Sequence, residues 1–256
     1  MVLWTEAHAR TLLPTLAVLI AVTVALYFLL RNRPLEVRMI PLQMIGVVIV
    51  VLEILKQINA ARGGEYDLYA IPLHFCSLFI LTTPAMAFYR GKYENAVRNV
   101  GTVVAGAITL LFLIYPDLIY PASAATGYFD SFGAFHTVTF HCLVVLACFL
   151  IFALRLYGNS EKREWGVLMG FIAAHSVVAG VMSQVLKTNF ANMYKCNVPP
   201  IEAVRVSLQG ILGYWPTQVI WVLAVSLGQL LFASLIYLIV RFVRYLIVRF
   251  SKPCNE

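Results

Sequence analysis

The chain has 256 residues, of which 61% belong to the apolar set (Ala, Val, Ile, Leu, Met, Phe, Trp, Tyr, Cys) and only 12% are charged. A soluble domain of this length cannot hide so much apolar side chain. Lipid stabilises an apolar exterior, and it obliges each segment to satisfy its own backbone hydrogen bonds as a long helix. The net charge of +7 is distributed as membrane topology requires, so no nucleic acid is expected as a partner.

Seven apolar stretches of roughly 20 residues are each long enough to span a bilayer. They lie near residues 11–30, 35–58, 68–89, 95–115, 134–156, 165–187 and 217–240. The first contains Pro14 and Tyr27 and lacks a small-residue cleavage site, so it reads as a span and not as a removable signal. Short turns with Pro, Gly, Asn or Ser join most of them, namely Asn32-Arg33-Pro34, Arg62-Gly63-Gly64, Tyr89-Arg90-Gly91-Lys92 and Gly158-Asn159-Ser160. Residues 116–133 and 188–216 form two longer connections, and no internal repeat is visible. The expected fold is all-α, a single transmembrane domain over 1–256 built as a seven-helix bundle, with a basic tail at 241–256.

Counting lysines and arginines orients the bundle. The N-terminus and the connections after spans two, four and six hold six of the 19 (Arg10, Lys56, Arg62, Lys187, Lys195 and Arg205), and the opposite side holds the other thirteen. The positive-inside rule then places the N-terminus outside and the C-terminus in the cytosol. Arg241, Arg244, Arg249 and Lys252 read as a cytoplasmic helix on anionic headgroups or as a stop-transfer anchor.

Polar residues inside spans are costly, roughly 2.5–3.5 kcal/mol for a charge near the bilayer centre. With the orientation above, Glu53 and Lys56 on span two, His74 and Cys76 on span three and His136 and His141 on span five fall in the non-cytoplasmic half. Gln184 and Asn189 at the end of span six join them, and His175 sits near mid-depth. The cytoplasmic halves carry few ionisable groups apart from Arg38 and Arg98. Each polar residue alone could simply hydrogen-bond a neighbouring helix, but their shared depth points to a site. Glu53 and Lys56 stand at i, i+3 and can pair.

Cys76 is the candidate nucleophile of this layer. A buried thiol is inert unless a base or cation lies nearby. On an α-helix His74 would sit about 200° from Cys76, so a base from another helix is more natural unless Pro72 distorts the segment. His136 and His141 are about 140° apart on a helix, so one of the two should face the cluster. His141 is the preferred base, with His136 and His175 as the others. Cys142 and Cys148 read as apolar fillers, Cys196 and Cys254 have no evident mate, and no disulfide framework is expected. The absence of HxxxH, HExxH and phosphate-loop motifs leaves neither a metal nor a cofactor expected.

The segment Leu73-His74-Phe75-Cys76-Ser77-Leu78 behind Pro72 resembles the "LPLHxCS" signature of the YwaF-like integral membrane family, whose eukaryotic relatives are TMEM-type phospholipid acyltransferases. Glu53-x2-Lys56 resembles that family's acidic–basic pair. Thr188-Asn189-Phe190 with Met193-Tyr194-Lys195 resembles its "TNYMYLxxKP" stretch, with Phe190 in place of the tyrosine. Gly213-Tyr214-Trp215-Pro216 resembles its "GxWP". The resemblance implies seven spans and acyl transfer between membrane phospholipids, without coenzyme A, through an acyl-cysteine at Cys76. It also implies the cell membrane for a bacterial chain and the endoplasmic reticulum for a eukaryotic one. On that reading a histidine is the base and Asn189 or Gln184 donates to the oxyanion. Glu53 and Lys56 shape the headgroup end, and the connection carrying Trp215 covers the site. The rival reading is a transporter or channel-like protein whose pathway the same residues line.

Overall fold

The computed structural model describes residues 4–62, 64–119, 122–159 and 163–250, and among these all regular structure is helical. In chain order the α-helices are α1 (Glu6–Leu30), α2 (Leu35–Ala61), α3 (Leu78–Phe88), α4 (Glu94–Ile114), α5 (Pro116–Ile119), α6 (Ala122–Thr126), α7 (Phe132–Ala153), α8 (Glu164–Val185), α9 (Pro199–Leu212) and α10 (Tyr214–Phe250). Three single 3-10 turns, Leu68–Ala70, Phe75–Ser77 and Phe190–Asn192, interrupt the connections. Gly63, Ser160, Lys252 and Cys254, all used in the reading above, lie outside the described residues.

Six helices (α1, α2, α4, α7, α8 and α10) are long and apolar enough to cross a membrane. The third expected span is shorter than its hydropathy suggests. It is α-helical only over the 11 residues of α3, about 16 Å at 1.5 Å per residue, or half a hydrocarbon layer of ~30 Å. The cause is Pro72, which disfavours helical backbone at Ile71 before it and has no N–H to donate. Ile71 and His74 are accordingly extended, with ψ of 131° and 154°.

α4 is the centre of the bundle, with Val103, Val104, Ala105, Ala107 and Ile108 buried against Met86 of α3, Val144 and Ile151 of α7 and Ile236 of α10. Small residues let the helices approach closely: a Cβ on Gly46 of α2 would touch the Pro84 backbone of α3. The outer helices expose large apolar side chains instead. Phe28 and Leu29 of α1 are 63% and 70% exposed, and Leu223, Leu227, Leu231 and Leu238 line one open face of α10. Water would penalise that surface and lipid does not, so the chain is a multi-pass integral membrane protein.

The far end of α10 corrects one reading of the basic tail. Arg244 is buried, not spread on headgroups: it donates to Asn99 Oδ1 at 3.0 Å and to the Gly158 carbonyl at 2.6 Å, lies 3.6 Å from Glu164, and stacks over Tyr157. Arg98 pairs with Glu94, and Arg38 donates to the Leu154 carbonyl at 2.8 Å. That end is therefore richer in buried charge than the scarcity of ionisable groups there had suggested. Arg241 and Arg249 remain exposed.

Candidate functional site

At the other end of the bundle two stretches of irregular backbone meet. One runs through residues 68–77 ahead of α3, and the other through 187–198 between α8 and α9. Phe190 and Met193 of the second are fully buried and pack with Ile71 and Leu73 of the first, alongside Ala179 of α8 and Val222 of α10. His74 packs its ring against both Tyr69 (4.3 Å between centroids) and Phe190 (5.6 Å). Unpaired backbone within a membrane bundle is costly unless protein groups satisfy it.

They do so almost completely. Five consecutive carbonyls, Phe190 to Tyr194, each accept a hydrogen bond from a side chain on α8 or α10. The donors are, in order, Ser183, Gln229, Trp221, Gln184 and Gln218. Asn189 Oδ1 accepts from the backbone N–H groups of Tyr194 and Lys195, while its Nδ2 donates to Asn197. Lys187, Ala191 and Asn192 are held at φ of 50°, 49° and 64°, the left-handed region that side chains other than glycine avoid. Strain of this kind persists only where surrounding contacts over-determine the backbone, and it concentrates at functional sites. The Ala70 carbonyl of the first stretch accepts from Gln57 at 2.9 Å, and the Tyr69 carbonyl lies 3.1 Å from His74 Nε2.

Most of the residues singled out from the sequence lie in or beside this region. Glu53 and Lys56 pair at 2.8 Å, both largely withdrawn from solvent. Glu53 also accepts from Gln57 and stands 4.0 Å from His136 Nε2. Lys56 lies within electrostatic reach of His74, Cys76 and His136. Cys76 is a free thiol on the 3-10 turn Phe75–Ser77, partly buried. Because residues 72–77 are not α-helical, the 200° separation expected between His74 and Cys76 does not apply. Among the described residues no hydrogen bond joins Cys76 to a histidine.

The two histidines of α7 diverge as their helical spacing requires. His136 faces Glu53, whereas His141 stacks on Phe112 of α4 and places Nδ1 2.7 Å from the Thr137 carbonyl. The carboxylate neighbour thus belongs to His136 and not to the expected base. His175 is half-buried on α8. Gln184 spends its Nε2 on Met193 and Gln218, which turns its amide donor toward the loop. Trp215 is 66% exposed and packs edge-on against Tyr214 at the start of α10, an interfacial arrangement. Cys142 and Cys148 pack with apolar neighbours. Among the described residues no three His, Cys, Asp or Glu side chains converge closely enough to hold a metal ion.

Sequence reasoning missed the supporting side chains Gln57, Gln218, Trp221 and Gln229. It also missed His8, which is fully buried, caps α1 with Thr5 and faces Asp117 at 4.0 Å. The glutamines were discoverable as amides in otherwise apolar stretches. α9 carries a bidentate Arg205–Glu202 pair, and Glu202 Oε2 also accepts from Cys196 N at 2.7 Å. Those bonds, led by the one from Arg205, hold the Glu202 carboxyl below its ordinary range, and they raise Arg205.

No curated protein and no solved structure matches the chain. A model of one family, described as the TMEM164 family, matches residues 3–240, nearly the whole length. An apolar, multi-helix bundle with that coverage belongs to the TMEM164 family.

Proposed function

We propose that this membrane protein is a phospholipid acyltransferase or transacylase, independent of coenzyme A, that works through an acyl-cysteine at Cys76 on the non-cytoplasmic side of a seven-span bundle. The observation that carries the reading is the position of Cys76. It stands on a break in the third apolar segment, partly buried, with the Lys56 ammonium in electrostatic reach and Lys56 itself held by Glu53, which faces His136. A cation beside a thiol is what a buried cysteine needs to act as a nucleophile. The resemblance of residues 72–78 to the signature of the YwaF-like family, which has acyltransferases among its eukaryotic relatives, supports the same assignment.

In the first half-reaction His136 takes the Cys76 proton, a contact that forms only with substrate bound, and the sulfur attacks an ester carbonyl of the donor lipid. The tetrahedral oxyanion is stabilised by the Lys56 ammonium. Collapse breaks the ester C–O bond, the lysolipid oxygen takes the proton from His136, and the acyl group remains as a thioester. A second lysolipid hydroxyl then gives its proton to His136 and attacks the thioester; collapse breaks the C–S bond, and the departing sulfur takes that proton back to restore the Cys76 thiol and the neutral imidazole. Charge stabilisation in a water-poor site is typically worth a few kcal/mol per donor. Glu53 orients the imidazole and neutralises Lys56 between turnovers.

The test is trapping. After incubation with phospholipid carrying a labelled acyl chain, mass spectrometry should find the label on the peptide containing Cys76, and Cys76→Ala should neither trap acyl nor acylate lysolipid. Undiminished lysolipid acylation in Cys76→Ala would overturn the nucleophile. A pathway reading draws on the two broken segments, a device that transporters share. Substrate flux in proteoliposomes that ignores Cys76→Ala would favour it.

A further inference from the structure

A cleft of about 330 Å³ opens at the junction of the two irregular stretches, lined by Tyr69, Lys187, Asn189, Tyr194, Lys195 and Asn197. Its lining holds two ammonium groups, two phenols and two carboxamides, and no carboxylate. Among the described residues neither lysine is in an ion pair. Glu202, an acid within electrostatic reach of Lys195, is already committed to Arg205 and to the Cys196 N–H. The cleft is therefore rich in donors and carries uncompensated positive charge, the complement of an anion with several acceptor oxygens.

The lysines are not placed by chance fluctuation of a free loop. Lys187 leaves α8 in the left-handed region. The backbone carrying Lys195 is gripped by Asn189, whose Oδ1 accepts the N–H groups of Tyr194 and Lys195. The strained, fully bonded loop thus fixes the spacing of the two backbones that present the ammonium groups. Tyr69 is the wall between this cleft and the reactive layer. Its ring packs on His74, and its phenol is in electrostatic reach of Cys76.

We propose that this cleft binds the phosphate of a phospholipid headgroup and so sets the position of the glycerol esters relative to Cys76. The second half of that statement rests on the acyl-transfer reading; the binding of phosphate does not. Phosphate is recognised by Lys187 and Lys195 with help from the Tyr69 and Tyr194 hydroxyls, and the esters, one glycerol unit further on, pass Tyr69 toward His74 and Cys76.

The experiment uses the full chain purified in a phosphate-free maltoside detergent and reads its thermal midpoint with three probes: dihexanoyl phosphatidylcholine, dihexanoylglycerol and inorganic phosphate. The phospholipid should raise the midpoint of the wild type and of Cys76→Ala equally, and dihexanoylglycerol should not. In the double variant Lys187→Gln with Lys195→Gln, both lysines being exposed, affinity for the phospholipid should fall roughly ten- to hundredfold, as expected for losing charge-assisted bonds. An equal shift with dihexanoylglycerol, or an undiminished shift in the double variant, would overturn the phosphate site. A full shift with inorganic phosphate alone would assign the cleft to free phosphate and overturn the lipid assignment. Because Cys76→Ala is tested alongside, loss of acyl transfer and loss of phosphate binding are read separately.

Discussion

Lys56 is a half-buried ammonium paired with Glu53 at 2.8 Å, and a charge withdrawn from water is retained only where a partner satisfies it. Glu53 supplies the charge and Gln57 holds Glu53 in turn. The pair was expected to shape a headgroup end, and its position beside Cys76 gives it a more central part in the proposed chemistry. The same geometry separates the α7 histidines. In acyl-transfer assays on proteoliposomes, His136→Ala is expected to lower the rate by about 10²–10⁴, the usual worth of a general base. His141→Ala, which removes a ring stacked on Phe112, should leave the rate per folded molecule within a few-fold of the wild type. Equal losses in the two variants would remove His136 from its assigned role. The 140° separation was legible from spacing alone. Which of the two histidines met the acid was not, because that depends on the rotation of α7 against α2.

Helix breaks are what assemble the site, and they are the part that hydropathy conceals. Residues 68–77 are apolar enough to pass for the start of a span, and only Pro72 signals that break in advance; residues 188–216 read from the sequence as a connection, but not as a bonded loop. The second depends on side chains up to 38 residues away, such as Gln229 on the Ala191 carbonyl, and no local pattern encodes such pairings. Packing then locks the loop in place: a Cβ on Gly180 of α8 would approach Val222 of α10 to 2.8 Å and the Met193 sulfur to 3.3 Å. α9 is tied to the loop chiefly through Glu202, which holds both Arg205 and the Cys196 N–H. The Glu202 carboxyl is held below its ordinary range, so its contribution is fully present above the unfolded value of about 4.3. It is lost as pH falls through the lower folded value. Hydrogen exchange, corrected for intrinsic rates, should show residues 196–209 equally protected at pH 7 and pH 5 and less protected near pH 3. Glu202→Gln should show the weaker protection at all three values. Acid-insensitive protection in the wild type would mean that this carboxylate does not anchor α9.

Across the whole molecule the two ends of the bundle do different work. One end holds strained backbone, a cleft and the Cys76 cluster. The other is stitched by Arg244 to α4, to α8 and to the connection between α7 and α8. Counting basic residues located that second end correctly as arginine-rich, but it could not separate arginines facing solvent from those buried as ties, since the rule weighs charge and ignores packing. Orientation rests on the same count, and it decides which leaflet supplies the proposed substrate. With α3 and its preceding turns counted as a seventh crossing, the N-terminus and the cleft share the outer side, and the Arg33 turn faces the cytosol. Ser207 on α9 and Arg33 between α1 and α2 are both exposed, so each tolerates a cysteine as a reporter. In sealed right-side-out vesicles a membrane-impermeant maleimide should label Ser207→Cys, as read by the mass of its own peptide. Arg33→Cys should be labelled only after permeabilisation. The reverse pattern would turn the bundle over and make the Cys76 cluster face inner-leaflet lipid. Because the contacts of Glu53 with Lys56 and His136 and the bonds that hold the 187–198 loop to α8 and α10 are internal to the fold, the site would survive that inversion intact, and only its lipid supply would change.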